Sequence, residues 1–173
     1  MSVSTMNYGI AGRLAHEFRF DTWLNNPNTE VALADIEAPV IYLYNFQSWC
    51  PGCHSHGFPA LAQVKAHFDT VGRSDQVRFI AVQTVFEGYD ENTEEAARES
   101  MERHGLSDIA LGLDAPSPPT IMAEYRTGGT PWTVLIGPDR TVLADGFQID
   151  AEAATEAIES IIDKVNTPTG ETL

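Results

Sequence analysis

The chain has 173 residues, with 10 Lys and Arg against 25 Asp and Glu, a formal charge of −15. That length suits one domain with a sizeable core and no need of disulfide or metal staples, so we expect a single domain over 1–173 with its core at about 40–165. The acidic balance disfavours nucleic acid and anionic membrane surfaces as partners, since both reward clustered positive charge, and two cysteines exclude a disulfide scaffold.

Residues 1–9 are rich in Ser, Thr and Asn and are expected to be mobile. No apolar core of signal-peptide length opens the chain, because Arg13, His16, Glu17 and Arg19 interrupt it. No apolar run is long enough to span a bilayer. The expectation is a cytoplasmic protein without a membrane partner, in a compartment where structural disulfides are rare. Residues 18–35 read as irregular or short-strand structure. Residues 39–46 form a near-continuous β-branched and aromatic run, the pattern of a strand buried on both faces. A helix should start at Cys50 and Cys53 and reach about Phe68.

Residues 77–86 predict a second buried strand. Asn92 with Glu95 three residues on resembles a capping box, and Gly105 stops the helix it opens. A short strand is expected at 109–113 and a short helix at 120–125. Strands at 132–136 and 141–147 flank Gly137-Pro138-Asp139-Arg140, a β-turn by its Pro and Asp. The last helix covers about 151–165, with Ile158, Ile161, Ile162 and Val165 on one face, and 167–173 is a polar tail. Strands alternating with helices and closed by a hairpin and a helix imply an α/β sandwich.

The chemistry concentrates at Cys50-Pro51-Gly52-Cys53, a C-x-x-C at the join of a buried strand and a helix. At that spacing two sulfurs reach bonding distance, and the bond opens with little backbone change. With Cys50 as N-cap, Pro51 takes the first helical position, where its missing N–H costs nothing. The free N–H groups of Gly52 and Cys53 then face the Cys50 sulfur and favour its thiolate, the nucleophilic form. Cys53, one turn in, is expected to be the more buried, resolving thiol. Cys50-Pro51-Gly52-Cys53-His54 also fits c-type haem attachment, which would require export and a haem pocket. Cys50, Cys53, His54 and His56 fall within seven residues, too close to surround one tetrahedral ion easily. We therefore expect neither metal nor cofactor. A protonated His54 facing Cys50 would favour its thiolate further.

Trp49-Cys50-Pro51-Gly52-Cys53 resembles the active-site signature of the thioredoxin superfamily, and Gly129-Thr130-Pro131 lies just before a strand, where that family places its cis-proline. The 81 residues from Cys50 to Pro131 accommodate an extra strand–helix insertion. With the run Asn45-Phe46…Ser48-Trp49-Cys50, this makes the chain most similar to the TlpA-like, AhpC/TSA-type redoxin branch. The resemblance implies an α/β thioredoxin-like three-layer sandwich, a central mixed sheet with helices on both faces and the insertion ahead of the cis-proline. It also implies thiol–disulfide exchange, with Cys50 attacking and Cys53 resolving. Thr130 would offer backbone hydrogen bonds to an extended substrate, and Trp49, Pro51, Gly52 and Pro131 would frame the site. Pro59 matches the family's helix-kinking proline only with a one-residue offset. Tyr44 stands at the spacing where thioredoxins keep a buried acid, so Glu87, at the end of the second strand, is the nearest candidate proton relay. Trp132 could line the groove or the core, and Trp23 reads as core.

The implied partners are a protein or small-molecule disulfide and an upstream reductant. Two other classes compete. A thiol peroxidase of peroxiredoxin type would need Pro and Thr seven and three residues before its cysteine, where Leu43 and Gln47 stand. Arg126 as an anion stabiliser reads more simply as an exposed helix-end residue. A non-catalytic thioredoxin-like binding module would have no use for an intact cysteine pair.

Overall fold

A computed structural model describes residues 7–30, 32–115 and 119–167. Its architecture follows from one segment. In β2 (Val40–Phe46) all seven residues have no measurable exposure. A strand buried on both faces must satisfy its backbone from both sides. It does so by pairing parallel with β3 (Val77–Gln83) and antiparallel with β5 (Trp132–Ile136). The sheet has six strands in the order β1-β4-β3-β2-β5-β6. β4 (Ala110–Asp114) extends the parallel part beyond β3, and β1 (Phe20–Asn25) pairs antiparallel to it at one edge. β6 (Val142–Gly146) closes the other edge as a hairpin with β5.

Alternation along β2 assigns the two faces. Tyr42, Tyr44 and Phe46 enter a core with Phe58, Leu61 and Phe68 of α1 (Phe58–Thr70), Met101 of α2 (Glu94–Arg103) and Ile158 of the C-terminal helix. Ile41 and Leu43 enter a second core with Ile121 of α3 (Thr120–Glu124), Tyr125 and Phe18. Three helices thus cover one face, and α3 with the N-terminal segment covers the other. This is the α/β thioredoxin-like sandwich with a mixed sheet. Between the cysteines and Pro131, α2 and β4 supply the additional helix and strand.

Several boundaries differ from expectation for identifiable reasons. The second strand ends at Gln83 rather than 86; Thr84 N–H still donates to Phe46 O at 3.0 Å, and the chain then leaves the sheet. α2 is capped by Thr93, whose hydroxyl accepts from Ala96 N–H at 3.1 Å, and not by Asn92, whose side chain is engaged elsewhere. α4 (Ala151–Asn166) is capped by Asp150, and of the four residues expected on its buried face Val165 is exposed, as are all of 163–167 where the helix outruns its layer. The hairpin turn forms as expected, with Arg140 at φ +67° and its guanidinium on the carbonyls of Ala38 and Ile36. Residues 1–6 of the segment expected to be mobile and 168–173 of the polar tail lie outside the described residues, while Gly9 N–H donates to Arg126 O at 2.8 Å.

The helix after the cysteines starts at Pro51 but winds one π-helical turn over Cys53–Gly57 before α1. The Cys53 carbonyl accepts from Phe58 N–H and from the Tyr44 hydroxyl at 3.0 Å. That contact requires glycine at 57, because a Cβ there would lie 2.2 Å from the Tyr44 oxygen. Gly57→Ala should therefore destabilise the protein by roughly 1–3 kcal/mol in urea unfolding, the usual penalty of overpacking. Gly146→Ala, where a Cβ meets nothing within 4 Å, should change stability by less than about 0.5 kcal/mol. Equal effects would separate Gly57 from the Tyr44 contact.

Candidate active site

The turn after β2 carries the cysteines to the C-terminal end of the parallel strands. Cys50 N–H donates to Gln47 O at 3.0 Å, closing the turn. Both cysteines are free thiols, with Cys50 8% exposed and Cys53 fully buried behind it. The Thr130–Pro131 bond is cis. Its loop lies directly against the cysteines: the Cys50 thiol donates to Thr130 O at 3.6 Å, and a Cβ on Gly52 would stand 3.4 Å from Pro131 Cδ. Cys50, Gly52, Cys53, Thr130 and Pro131 are thus brought together. Pro51 is exposed on the first helical turn.

Trp49 is exposed and its indole covers Gly88, whose φ of +60° and lack of a side chain let the ring approach; a Cβ there would meet Trp49 Cδ1 at 2.9 Å. Glu87 has an exposed side chain and meets the site through its main chain, its N–H 3.4 Å from Gln47 Oε1 and its carbonyl accepting from Asn92 Nδ2 at 3.0 Å. Trp132 is buried, edge-on to Phe147 at 4.9 Å, and Phe147 covers the Gly128-Gly129 backbone beside the cis-proline. Trp23, expected in the core, is only partly buried and packs against the second core, edge-on to Phe20 at 4.5 Å.

Three buried amides knit these loops together, a role for which sequence reasoning did not single them out. Gln83 Oε1 accepts from Ser48 N–H at 2.9 Å and Ser48 Oγ at 2.5 Å, while its Nε2 donates to Thr93 O at 3.0 Å. Asn92 Oδ1 accepts from Trp49 N–H at 3.0 Å. Gln47 Oε1 accepts from Phe86 N–H at 3.3 Å, and its Nε2 donates to Thr130 Oγ1 at 3.1 Å. The available signal was the polar pair Gln47-Ser48 between an apolar strand and the cysteines, and an Asn beside a better N-cap.

Burial, followed by its hydrogen bond with Cys50, pushes the Cys53 thiol up to about 12. The Tyr44 phenol is driven well above its usual range by burial first and then by the neighbouring Cys53. His54 Nε2 lies 2.6 Å from Ser48 O, an acceptor only, so this nitrogen carries the proton and Nδ1 faces His104 Nε2 at 2.9 Å. Burial, then His54 and Arg103, lowers the His104 pKa. His54 thus turns toward Ser48 and His104. Among the described residues no three His, Cys, Asp or Glu side chains are grouped to hold a metal ion, and no helix is long and apolar enough to cross a membrane.

No protein-family model matches the chain, and no curated protein matches it significantly. Solved structures do. A thioredoxin-like superfamily protein is 28% identical with a TM-score of 0.76, covering 87% of this chain and 96% of its own. A thiol–disulfide isomerase from Corynebacterium glutamicum is 26% identical with a TM-score of 0.72, over the same shares. A secreted disulfide oxidoreductase of Mycobacterium tuberculosis, homologous to the Escherichia coli protein DsbE, is similar in fold at 19% identity and a TM-score of 0.55, over 73% of this chain and 85% of its own.

The contrast between the two thiols generates a direct expectation. At pH 8 iodoacetamide should modify Cys50 in the reduced, folded protein and leave Cys53 unmodified until urea is added, as read by peptide mass spectrometry. The raised Cys53 pKa favours the folded state fully below the pKa of an unfolded cysteine, about 9, and that preference is lost as pH rises toward about 12. The urea midpoint of the reduced protein should fall more steeply over that window than that of Cys53→Ala.

Proposed function

For this chain of the thioredoxin-like superfamily, we propose a thiol–disulfide oxidoreductase activity carried by the Cys50-Pro51-Gly52-Cys53 dithiol. The observation that carries the reading is the arrangement of the sulfurs: that of Cys50, which keeps 8% exposure, lies against the carbonyl ahead of a cis-proline, and that of Cys53 is fully buried. Only Cys50 is accessible to a substrate disulfide. Its thiolate attacks one sulfur and expels the other as a thiol, leaving Cys50 in a mixed disulfide. Cys53 then attacks the Cys50 sulfur, closing the intramolecular disulfide and releasing the reduced substrate. The two electrons reside on the protein's own sulfurs, so the reaction calls for no cofactor.

Around the pair, Trp49, Pro51 and Gly52 shape the entrance, and Thr130 and Pro131 form the edge along which an extended substrate backbone aligns. Glu87, exposed on the loop beside Trp49, is the carboxylate we assign to proton exchange with the departing thiolate. The substrate is a protein or small-molecule disulfide, and in a reducing compartment such as the cytoplasm the pair acts as a disulfide reductase. An upstream dithiol reductant must then return it to the reduced state.

The test is a disulfide-reduction assay with trapping of intermediates. Cys50→Ser should abolish exchange, whereas Cys53→Ser should retain the first step and accumulate a mixed disulfide visible on a non-reducing gel. Equal loss in both variants with no trapped species would refute the assigned roles. Equilibration of the wild type in defined thiol–disulfide buffers should give a reversible two-electron transition, near thioredoxin's −270 mV for a reductase and near −120 mV for an oxidant.

A further inference from the structure

The dithiol mechanism leaves a difficulty inside the fold. The resolving thiol must become a thiolate to attack, yet Cys53 is fully buried and burial opposes its ionisation. Neither Tyr44 nor Asn45, the nearest polar side chains of β2, is a carboxylate, and the Tyr44 hydroxyl is committed to the Cys53 carbonyl at 3.0 Å. A compensating donor must come from another element.

Gln47 sits where such a donor is organised. It has no exposure, and a buried amide must place both its acceptor and its donor ends. Its Oε1 accepts from the N–H groups of Phe86 and Glu87, at 3.3 and 3.4 Å, and faces Asn92 Nδ2 at 3.4 Å. That fixes the amide orientation and turns Nε2 to Thr130 Oγ1 at 3.1 Å. Because the Thr130 oxygen accepts this bond, its own proton is directed elsewhere. The main chain of Gln47 holds Cys50 N–H at 3.0 Å, and Cys50 in turn reaches Thr130 O at 3.6 Å. Gln47, Cys50 and Thr130 form a closed ring of three hydrogen bonds with Cys53 directly beneath.

We propose that Gln47 is a positioning residue for the resolving step: by donating to Thr130 Oγ1 it aims the threonine hydroxyl at the buried Cys53 sulfur and so stabilises the thiolate that attacks the mixed disulfide. Both groups do bear on that sulfur, the Gln47 backbone N–H and the Thr130 side chain each lowering the Cys53 pKa against the larger effects of burial and the bond to Cys50. The inference rests on the dithiol reading above. The step it concerns is balanced: Cys53 loses its proton and attacks Cys50 Sγ, the Cys50–substrate S–S bond breaks as the Cys50–Cys53 bond forms, and the substrate leaves as a thiolate that takes up one proton.

Thr130→Val keeps the shape and removes the hydroxyl; Thr130→Ser restores it. Gln47→Glu keeps the acceptor used by Phe86 and Glu87 and removes the donor to Thr130. Rapid mixing of each reduced variant with a peptide disulfide, followed by acid quench, resolves formation and decay of the mixed disulfide. Thr130→Val and Gln47→Glu should slow decay by about tenfold or more, the scale of a hydrogen bond to a charged group, while formation changes less than about threefold. Thr130→Ser should decay within about threefold of the wild type. Decay at the wild-type rate in both variants, or formation and decay slowed equally, would overturn the role. Cys53→Ser is run alongside: a trapped mixed disulfide there confines such a failure to Gln47, whereas its absence removes the dithiol reading itself. Matching near-ultraviolet circular dichroism across the variants confirms that intact proteins are compared.

Discussion

The complete burial of β2 is the constraint on which the rest depends. Seven consecutive residues without exposure force a strand on each side and an apolar layer above and below. The chain that leaves its end is then anchored to a strand held by neighbours on both sides and both faces. A cysteine four residues past Phe46 inherits that anchoring. The partner loop arrives on the adjacent strand, since β5 pairs with β2 up to Asn45↔Trp132, immediately after Pro131. Cys50 and Thr130 meet because the two strands they flank are neighbours in the sheet.

The same geometry creates the difference between the two thiols. They are three residues apart, yet one keeps a small opening to solvent and the other has none, because the first helical turn dives from the loop into the core formed by Tyr44, Phe46 and Phe58. The π-helical turn widens the helix there, and the Tyr44 hydroxyl occupies the extra room, giving the Cys53 carbonyl a second partner. Where thioredoxins keep an acid, this chain has a phenol that serves the backbone. Side-chain help for the buried sulfur therefore comes across the groove, from the cis-proline loop.

Much of this was legible in the residues. The β-branched run at 39–46, the Pro and Asp of the 137–140 turn and the helix stop at Gly105 each encode local structure through sterics or capping, which act over a few residues. The cysteine spacing and the Gly129-Thr130-Pro131 segment marked, through family resemblance, two segments that the fold brings together at the candidate site. What escaped was long-range and polar. Gln47 was weighed only as the absence of a peroxidatic threonine, and Asn92 only as a helix cap, because the bonds by which they join separate loops span 39 to 83 residues and leave no periodic trace. Asn92 shows the conflict directly: the neighbouring Thr93 caps the helix and frees the asparagine to hold Trp49. Val165 continued the apolar spacing of α4 where no layer remained to cover it. Glu87 was expected at the end of its strand, but the strand stops at Gln83 and Glu87 lies in the loop beyond it, meeting the candidate site through its backbone.

The pairing of β1 with β4 joins Phe20 to Asp114, 94 residues apart, while the pairs inside the sheet from β2 to β4 close much shorter loops. During synthesis at roughly 5–20 residues per second the first strand waits some 5–20 s for its neighbour to emerge. Closure of so long a loop follows more local contacts. For that interval Phe20 and Trp23, packed edge-on in the finished fold, are aromatic surface on a nascent chain without a sheet to receive them. Until β4 emerges this edge strand has no sheet partner, and its aromatic side chains stay open to capture by chaperones or by other chains.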